Sequence, residues 1–129
     1  MIERINPPGV AAPRGPYSPA VRAGDFIFVS GQVPVDPATG QLINSDIATE
    51  TRQVLNNIKS ILEGCGASMA DVVRCGVYLI NADDFKPMNE VYMEYFGDAK
   101  PARTTIIVAS LPLKGAKVEI DAIAYKPAV

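Results

Sequence analysis

The sequence predicts an α+β fold in which one β-sheet carries two helices on one of its faces. Three observations lead to this prediction. Segments rich in β-branched and aromatic residues recur along the chain, two other segments carry apolar residues at helical spacing, and a length of 129 residues suffices for one core but not for two. We therefore expect a single domain over residues 1–129.

The first half of the chain predicts a strand followed by a helix. Phe26–Val35 is rich in β-branched and aromatic residues and ends at the turn sequence DPATG. Ser45 or Asp46 is expected to cap a helix, because apolar residues then recur at helical spacing until Gly64. The short segment IERI near the start is a candidate edge strand.

The second half predicts a strand, a helix and two further strands. Val72–Ile80 is apolar and β-branched, and the Asn and Asp residues that follow it are suited to cap a helix running to about Phe96. Gly97 should end this helix. TTIIVAS and KVEIDAIAY then predict two strands separated by the loop LPLKGA.

Several of these strands are apolar on both faces, although two helices can cover only one face of the sheet. Phe26 and Phe28, for example, point opposite to Ile27 and Val29 of the same strand. The simplest cover for the second face is another copy of the chain, so we expect a closed homo-oligomer. The alternative is a monomer with an exposed apolar sheet face.

Composition disfavours several classes of function. Lys and Arg total 12 against 14 for Asp and Glu, and this net charge of -2 is unsuited to nonspecific nucleic-acid binding. The chain has no long apolar run, so we expect no membrane segment and a cytoplasmic location. Histidine is absent, which disfavours a bound transition metal and every Ser-His or Cys-His catalytic pair. We expect no cofactor.

The two cysteines, Cys65 and Cys75, are interpreted as reduced packing residues. Nothing in the sequence indicates an oxidising compartment, and free cysteine commonly fills small spaces in protein cores.

Three polar residues stand in otherwise apolar surroundings. Arg103 precedes an apolar strand, and its permanent charge requires an anionic or hydrogen-bonding partner if it leaves water. Asn89 falls on the apolar side of the second helix, where it is either a structural hydrogen-bonding residue or part of a ligand pocket. Ser30 precedes Gly31, where a ligand can approach the backbone closely, unless the pair is only a strand end.

The last strand carries carboxylates on one of its faces. Glu119 and Asp121 alternate with the apolar residues Val118, Ile120 and Ala122. Carboxylates facing solvent are the simplest interpretation, but carboxylates enclosed by an oligomer would need a cation or an activated water. Tyr17, in the turn sequence RGPYSPA, suits either a packed loop or a pocket wall.

Taken together, these motifs resemble those of the reactive intermediate deaminase family, also called the Rid or YjgF-type family, over essentially the whole chain. The motifs that carry the resemblance are, in order, GPYSPAV, VSGQVPVDPATG, DFKPMNEVYMEYF and PARTTIIVASLPLKGAKVEIDAIA. The resemblance implies a chorismate-mutase-like fold and a homotrimer with a central β-barrel and clefts between neighbouring subunits.

The resemblance also implies the functional residues. Arg103 matches the arginine that binds the substrate carboxylate, and Glu119 matches the glutamate associated with the hydrolytic water. Further substrate-binding positions of the cleft correspond to Tyr17, Ser30, Gly31, Asn89 and Thr105. The sequence departs from the family pattern at Thr105, where several members have cysteine, at Arg14, where an apolar residue is more usual, and at Pro19, where glutamine is frequent.

The implied activity is hydrolysis of 2-imino acids, the tautomers of enamines such as 2-aminoacrylate and 2-aminocrotonate, to 2-keto acids and ammonia. The expected ligand is a small anionic imino or keto acid. A noncatalytic sensor of keto acids stays open as an alternative. A ribonuclease or translation inhibitor, a label that some family members carry, is disfavoured by the acidic, histidine-free chain.

Overall fold

A computed structural model describes residues 1–128 as a six-stranded sheet with two α-helices packed on it. The strands are β1 (Ile2–Ile5), β2 (Ala20–Ala23), β3 (Phe26–Gln32), β4 (Val72–Leu79), β5 (Ala102–Ile107) and β6 (Val118–Tyr125), and the helices are α1 (Ile47–Gly64) and α2 (Phe85–Phe96). Their order across the sheet is β1-β2-β3-β6-β4-β5. Strands β4 and β5 are parallel, and the other neighbours are antiparallel. The predicted α+β architecture is therefore confirmed.

Both helices begin and end where the sequence predicts. The carboxylate of Asp46 accepts a hydrogen bond from the backbone N–H of Thr49 at 2.8 Å and so caps α1. Helix α2 ends before Gly97, whose φ of 52° is readily accessible to glycine. The apolar sides of α1 and α2 bury the core against one face of the sheet.

The other face of the sheet, here called the open face, is uncovered in the single chain. Strand β6 shows the alternation: Val118, Ile120, Ala122 and Ala124 are buried, whereas the residues between them point to the open face. Large apolar side chains of the open face are substantially exposed, namely Phe26 (42%), Phe28 (43%), Tyr125 (44%) and Ile106 (45%). The prediction that strands are apolar on both faces is confirmed.

Strand β2 was not expected from the sequence. Ala20, which the sequence suggested as the end of a turn, instead begins this strand, and Ala20–Ala23 pairs with both β1 and β3. Four residues are too few to show a periodic pattern, so the strand depends on its neighbours. Strand β3 also ends earlier than predicted, at Gln32, and β5 begins earlier, at Ala102.

Both cysteines are free thiols, as expected. Cys75 is buried in the core, and the partly buried Cys65 packs against the edge of the core. Within residues 1–128, neither helix combines the length and apolar composition needed to cross a membrane.

Candidate functional site

Arg103 lies within β5 and not before it, with its guanidinium against two aromatic rings. In the parallel ladder Arg103 is opposite the buried Cys75, so its side chain is on the helix-covered side of the sheet. Its Cζ atom is 4.7 Å from the centroid of the Tyr92 ring and 5.7 Å from that of Phe85. Cation–π attraction therefore holds the guanidinium without neutralising its charge.

Arg103 has no carboxylate partner in the part of the chain that the structure describes. The two ion pairs among residues 1–128 are Arg52–Glu94 and Lys117–Glu50. The donors of the Arg103 fork are consequently available for an external anion, and a fork of this shape matches a carboxylate.

A cavity of about 300 Å³ lies beside Arg103. Asn89 lines it, and the Oδ1 atom of Asn89 is buried without a hydrogen-bond partner among the described residues. Lys100 adds a second cation to the lining. A buried oxygen that accepts no hydrogen bond is costly, so this cavity suits a ligand that offers both an anion and a donor.

Behind Arg103, the buried groups of Tyr92 and Cys75 stay uncharged. Burial raises the pKa of the Tyr92 hydroxyl well above its usual value, and the neighbouring Cys75 raises it further. Burial raises the pKa of the Cys75 thiol to about 11. Cys75 is therefore a protonated packing residue and not a nucleophile.

Glu119 occupies the middle of the sheet on the open face. It lies opposite Tyr78 in the antiparallel ladder and alternates with buried residues of β6. Burial raises the pKa of Glu119, and the charge of nearby Asp121 raises it further. Asp121 itself is held by the backbone N–H of Gly76 at 2.8 Å and by the Tyr78 hydroxyl at 3.0 Å.

The backbone of β3 approaches the Glu119 carboxylate closely at Gly31. A Cβ atom at Gly31 would overlap the Oε2 atom of Glu119, so any larger residue there would displace the glutamate carboxylate from its present position. The preceding residue, Ser30, donates its hydroxyl to the Ser18 carbonyl at 2.6 Å. This bond connects β3 to the loop that carries Tyr17.

A second cavity, of about 480 Å³ and here called the Glu119 cavity, is formed around these residues. Its lining consists of Arg14, Tyr17, Ser30, Gly31, Val33, Pro112, Leu113 and Glu119. Four residues predicted from sequence, in addition to Arg14, thus share one cavity although they lie on three separate segments.

The structure does not bring Arg103 and Glu119 together within one chain. Arg103 and Asn89 line the smaller cavity, Glu119 lines the larger one, and the two linings share no residue. Thr105 is opposite the buried Val77, on the same face as Arg103, and lines neither cavity. The predicted site is therefore divided into two halves.

Comparison with known proteins identifies the fold family. Residues 9–126 match the family described as Endoribonuclease L-PSP, which is almost the whole chain. The chain belongs to this family, also known as the Rid or YjgF family. The resemblance seen in the sequence motifs is thus confirmed.

Relatives of the chain within the Rid family carry different names. A RutC family protein of Pyrococcus horikoshii is 52% identical over 126 residues, which cover 98% of this chain and 99% of that protein. The 2-iminobutanoate/2-iminopropanoate deaminase of Homo sapiens is 43% identical over 98% of this chain and 89% of its own length. The crystal structure of RidA from the Antarctic bacterium Psychrobacter sp. PAMC 21119 has a TM-score of 0.90 at 39% identity, covering 95% of this chain and 98% of that chain.

Some residues of this Rid-family site were not found from the sequence. Tyr92 had no predicted role, although an aromatic residue three positions after Asn89 lies on the same helix side. Pro112 and Leu113 reach the Glu119 cavity from the loop between β5 and β6. No local pattern indicates where such a loop will lie.

Proposed function

We propose that this chain is a deaminase that hydrolyses small 2-imino acids to 2-keto acids and ammonia. The observation that carries the proposal is the Arg103 guanidinium, which is held over Tyr92 and has no carboxylate partner among the described residues. The name of the human relative, 43% identical over almost the whole chain, supports the same chemistry.

The active unit in this proposal is a homotrimer whose sites lie between subunits. Arg103 and Glu119 occupy different cavities of one chain, so a site that contains both requires two chains. The exposed Phe26, Phe28 and Tyr125 provide an apolar surface that a second copy would bury. Arg103 of one protomer would then face Glu119 of its neighbour.

Arg103 would bind the substrate carboxylate with two parallel hydrogen bonds. The guanidinium fork fits a carboxylate in this way, whereas a lysine ammonium acts as a single point of charge. The rings of Tyr92 and Phe85 limit the directions that the fork can take, which fixes the imine carbon relative to the bound carboxylate.

Glu119 would act as the base that activates water. As water attacks the electrophilic imine carbon, its proton passes to Glu119, a carbon–oxygen bond forms and the electron pair of the carbon–nitrogen double bond moves to nitrogen. Proton return from Glu119 to that nitrogen gives a carbinolamine. Glu119 then takes the hydroxyl proton and passes it to the amine, the carbon–nitrogen bond breaks as the hydroxyl oxygen becomes the carbonyl, and ammonia and the keto acid are released. The raised pKa makes Glu119 a stronger base than an ordinary carboxylate, and it favours retention of the accepted proton until the nitrogen takes it.

The chemistry requires neither a covalent nucleophile nor a cofactor, because an imine is already electrophilic. Tyr17, Ser30 and Gly31 would shape the water side of the site, and Asn89 would accept a hydrogen bond from the substrate nitrogen or a water. We place Thr105 beside the bound carboxylate, as a neighbour of Arg103 on the same face of β5.

The two cysteines are free thiols, which fits the reducing cytoplasm as the place where the enzyme acts.

The decisive experiment uses 2-iminopropanoate, generated in situ by a serine dehydratase, and measures ammonia release by the parent and by Glu119→Gln. The glutamine keeps the shape of the side chain and removes the base, so turnover should fall by roughly 10²-fold or more. Pyruvate affinity and trimer mass should persist in the same preparation. Glu90→Gln, an exposed glutamate of α2, is the matched control and should retain parental turnover.

Arg103 variants complete the test. Arg103→Ala should abolish turnover without unfolding the protein, and Arg103→Lys should restore little, because lysine lacks the fork. A sensor would bind pyruvate but release no ammonia even as the parent. A ribonuclease would cleave RNA with the Arg103 variants unaffected, and either result would reject the proposal.

A further inference from the structure

Arg14 places a second arginine in the Glu119 cavity. It lies in the loop between β1 and β2, and its guanidinium donates a hydrogen bond to the carbonyl of Gly40. Its backbone N–H donates to the hydroxyl of Tyr17 at 3.1 Å. The guanidinium of Arg14 is thus fixed to the turn after β3, and its backbone is fixed to Tyr17, which also lines the cavity.

No carboxylate of residues 1–128 neutralises the charge of Arg14. Neither of the two ion pairs among the described residues involves Arg14, although Glu119 lines the same cavity. The bond to Gly40 uses one of the five N–H donors of the guanidinium, and a carbonyl carries no charge to offset it. Arg14 therefore presents a cation with free donors to the cavity.

In the single chain, without a neighbouring subunit, the cavity is larger than a three- or four-carbon imino acid requires. Its volume of about 480 Å³ lies within the range of roughly 300–1,000 Å³ that accommodates ligands of drug size. A substrate held by Arg103 and attacked beside Glu119 would leave space for a longer side chain. Among the residues that line this cavity, Arg14 is the single cation that such a side chain could meet.

We propose that Arg14 is a specificity-determining residue that directs the enzyme toward 2-imino dicarboxylic acids by binding their side-chain carboxylate. The inference rests on the proposed imine hydrolysis and extends it. Hydrolysis of such a substrate changes the same bonds: one water is consumed, the carbon–nitrogen double bond is replaced by a carbonyl, and ammonia and a keto dicarboxylic acid leave. The two carboxylates would be held by two arginines, one from each subunit.

The kinetic test compares two substrates. 2-Iminoglutarate is generated from glutamate by an amino-acid oxidase in the presence of catalase, and 2-iminobutanoate from threonine by a dehydratase. The parent should favour the dicarboxylate in kcat/KM, and Arg14→Leu should lower the ratio of the two kcat/KM values by about tenfold, the loss expected for one charge-assisted hydrogen bond. Arg14→Lys should keep part of the preference. Lys59→Leu, which removes an exposed cation from α1, should leave the ratio unchanged.

A binding experiment separates this inference from the proposed function. Calorimetry with 2-oxoglutarate and 2-oxobutanoate requires no turnover, so it tests Arg14 even if the protein is not a deaminase. Tighter binding of the dicarboxylate, lost in Arg14→Leu and kept in Lys59→Leu, supports the role of Arg14. An equal ratio of affinities in the parent and in Arg14→Leu would overturn it and leave Arg14 as a solvated surface residue.

Discussion

Arg103 stacks on Tyr92, with the guanidinium carbon 4.7 Å from the ring centroid. The Tyr92 hydroxyl is buried and has no hydrogen-bond partner among residues 1–128, so the ring and not the hydroxyl supports the arginine. This relationship makes Tyr92 a positioning residue for the proposed carboxylate-binding group, and it leads to the first prediction.

Tyr92→Leu should lower kcat/KM for 2-iminopropanoate by about tenfold, because a partly desolvated cation–π contact contributes roughly 1–2 kcal/mol. Tyr92→Phe keeps the ring and removes an unpaired hydroxyl, so its kcat/KM should equal that of the parent. Steady-state kinetics on both variants provide the check. Equal losses in the two variants would indicate that the hydroxyl, and not the ring, is important.

The second prediction concerns pH. A carboxyl group whose pKa is raised by folding binds more protons in the folded state, so the free energy of unfolding decreases as the pH rises from the usual value of 4.5 through the raised pKa of Glu119. This loss of stability persists at neutral pH, where Glu119 is ionised in both the folded and the unfolded state. Glu119→Gln should therefore be more stable than the parent at pH 7 and nearly equal to it below pH 4.5, as measured by urea denaturation.

Asp46 provides a control of opposite sign for that experiment. Its hydrogen bond from Thr49 lowers the pKa of Asp46, so its contribution is present above its usual pKa and is lost as the pH falls through the lowered value. Asp46→Asn should thus lose stability relative to the parent at pH 7 and not at strongly acidic pH. If Glu119→Gln increased the free energy of unfolding equally at every pH, the gain would not come from the raised pKa of Glu119.

The third prediction concerns the contact of Gly31 with Glu119. Gly31→Ala should destabilise the parent, because the added Cβ would overlap the glutamate side chain. The backbone at Gly31 has no positive φ, so alanine is not excluded by the backbone conformation itself. In a Glu119→Ala background the same change should cost little. The interaction free energy of this double-mutant cycle should be about 1 kcal/mol or more. Additive effects on the free energy of unfolding would show that the overlap is relieved elsewhere.

The fourth prediction tests assembly. Phe28→Glu places a charge in the exposed apolar surface of the open face and should reduce the light-scattering mass from about three chains to one chain of 13.8 kDa. Turnover should disappear with the trimer. Ser60→Glu, at an exposed position of α1, should leave mass and turnover unchanged. A parent that is itself monomeric would reject the shared site.

Much of the fold was predictable because its signals are local. The Asp46 cap, the glycine at position 97 and the alternation along β6 each depend on a few neighbouring residues. Strand β2 escaped prediction because its four residues are stabilised by pairing with strands on both sides. Its existence is a property of the sheet and not of the segment.

The site residues were predictable as types but not as an arrangement. Side chains alternate between the two faces along each strand, so the sequence shows that Arg103 and Glu119 each point away from the adjacent residues of their own strand. It does not show whether residues of two different strands lie on the same face of the sheet. That relation requires the pairing register, Cys75 with Arg103 and Tyr78 with Glu119, which places the two side chains on opposite faces. The division of the site could therefore be seen only in three dimensions.

This division has a consequence for mixtures of damaged proteins. If each site takes its arginine from one protomer and its glutamate from the next, Arg103→Ala and Glu119→Gln carry complementary defects. Dissociating the two inactive variants, mixing them in equal amounts and reassembling them at random would give an intact arginine and an intact glutamate at about one interface in four. Two preparations without activity should thus recover roughly a quarter of parental turnover when combined, and each would repair the defect of the other.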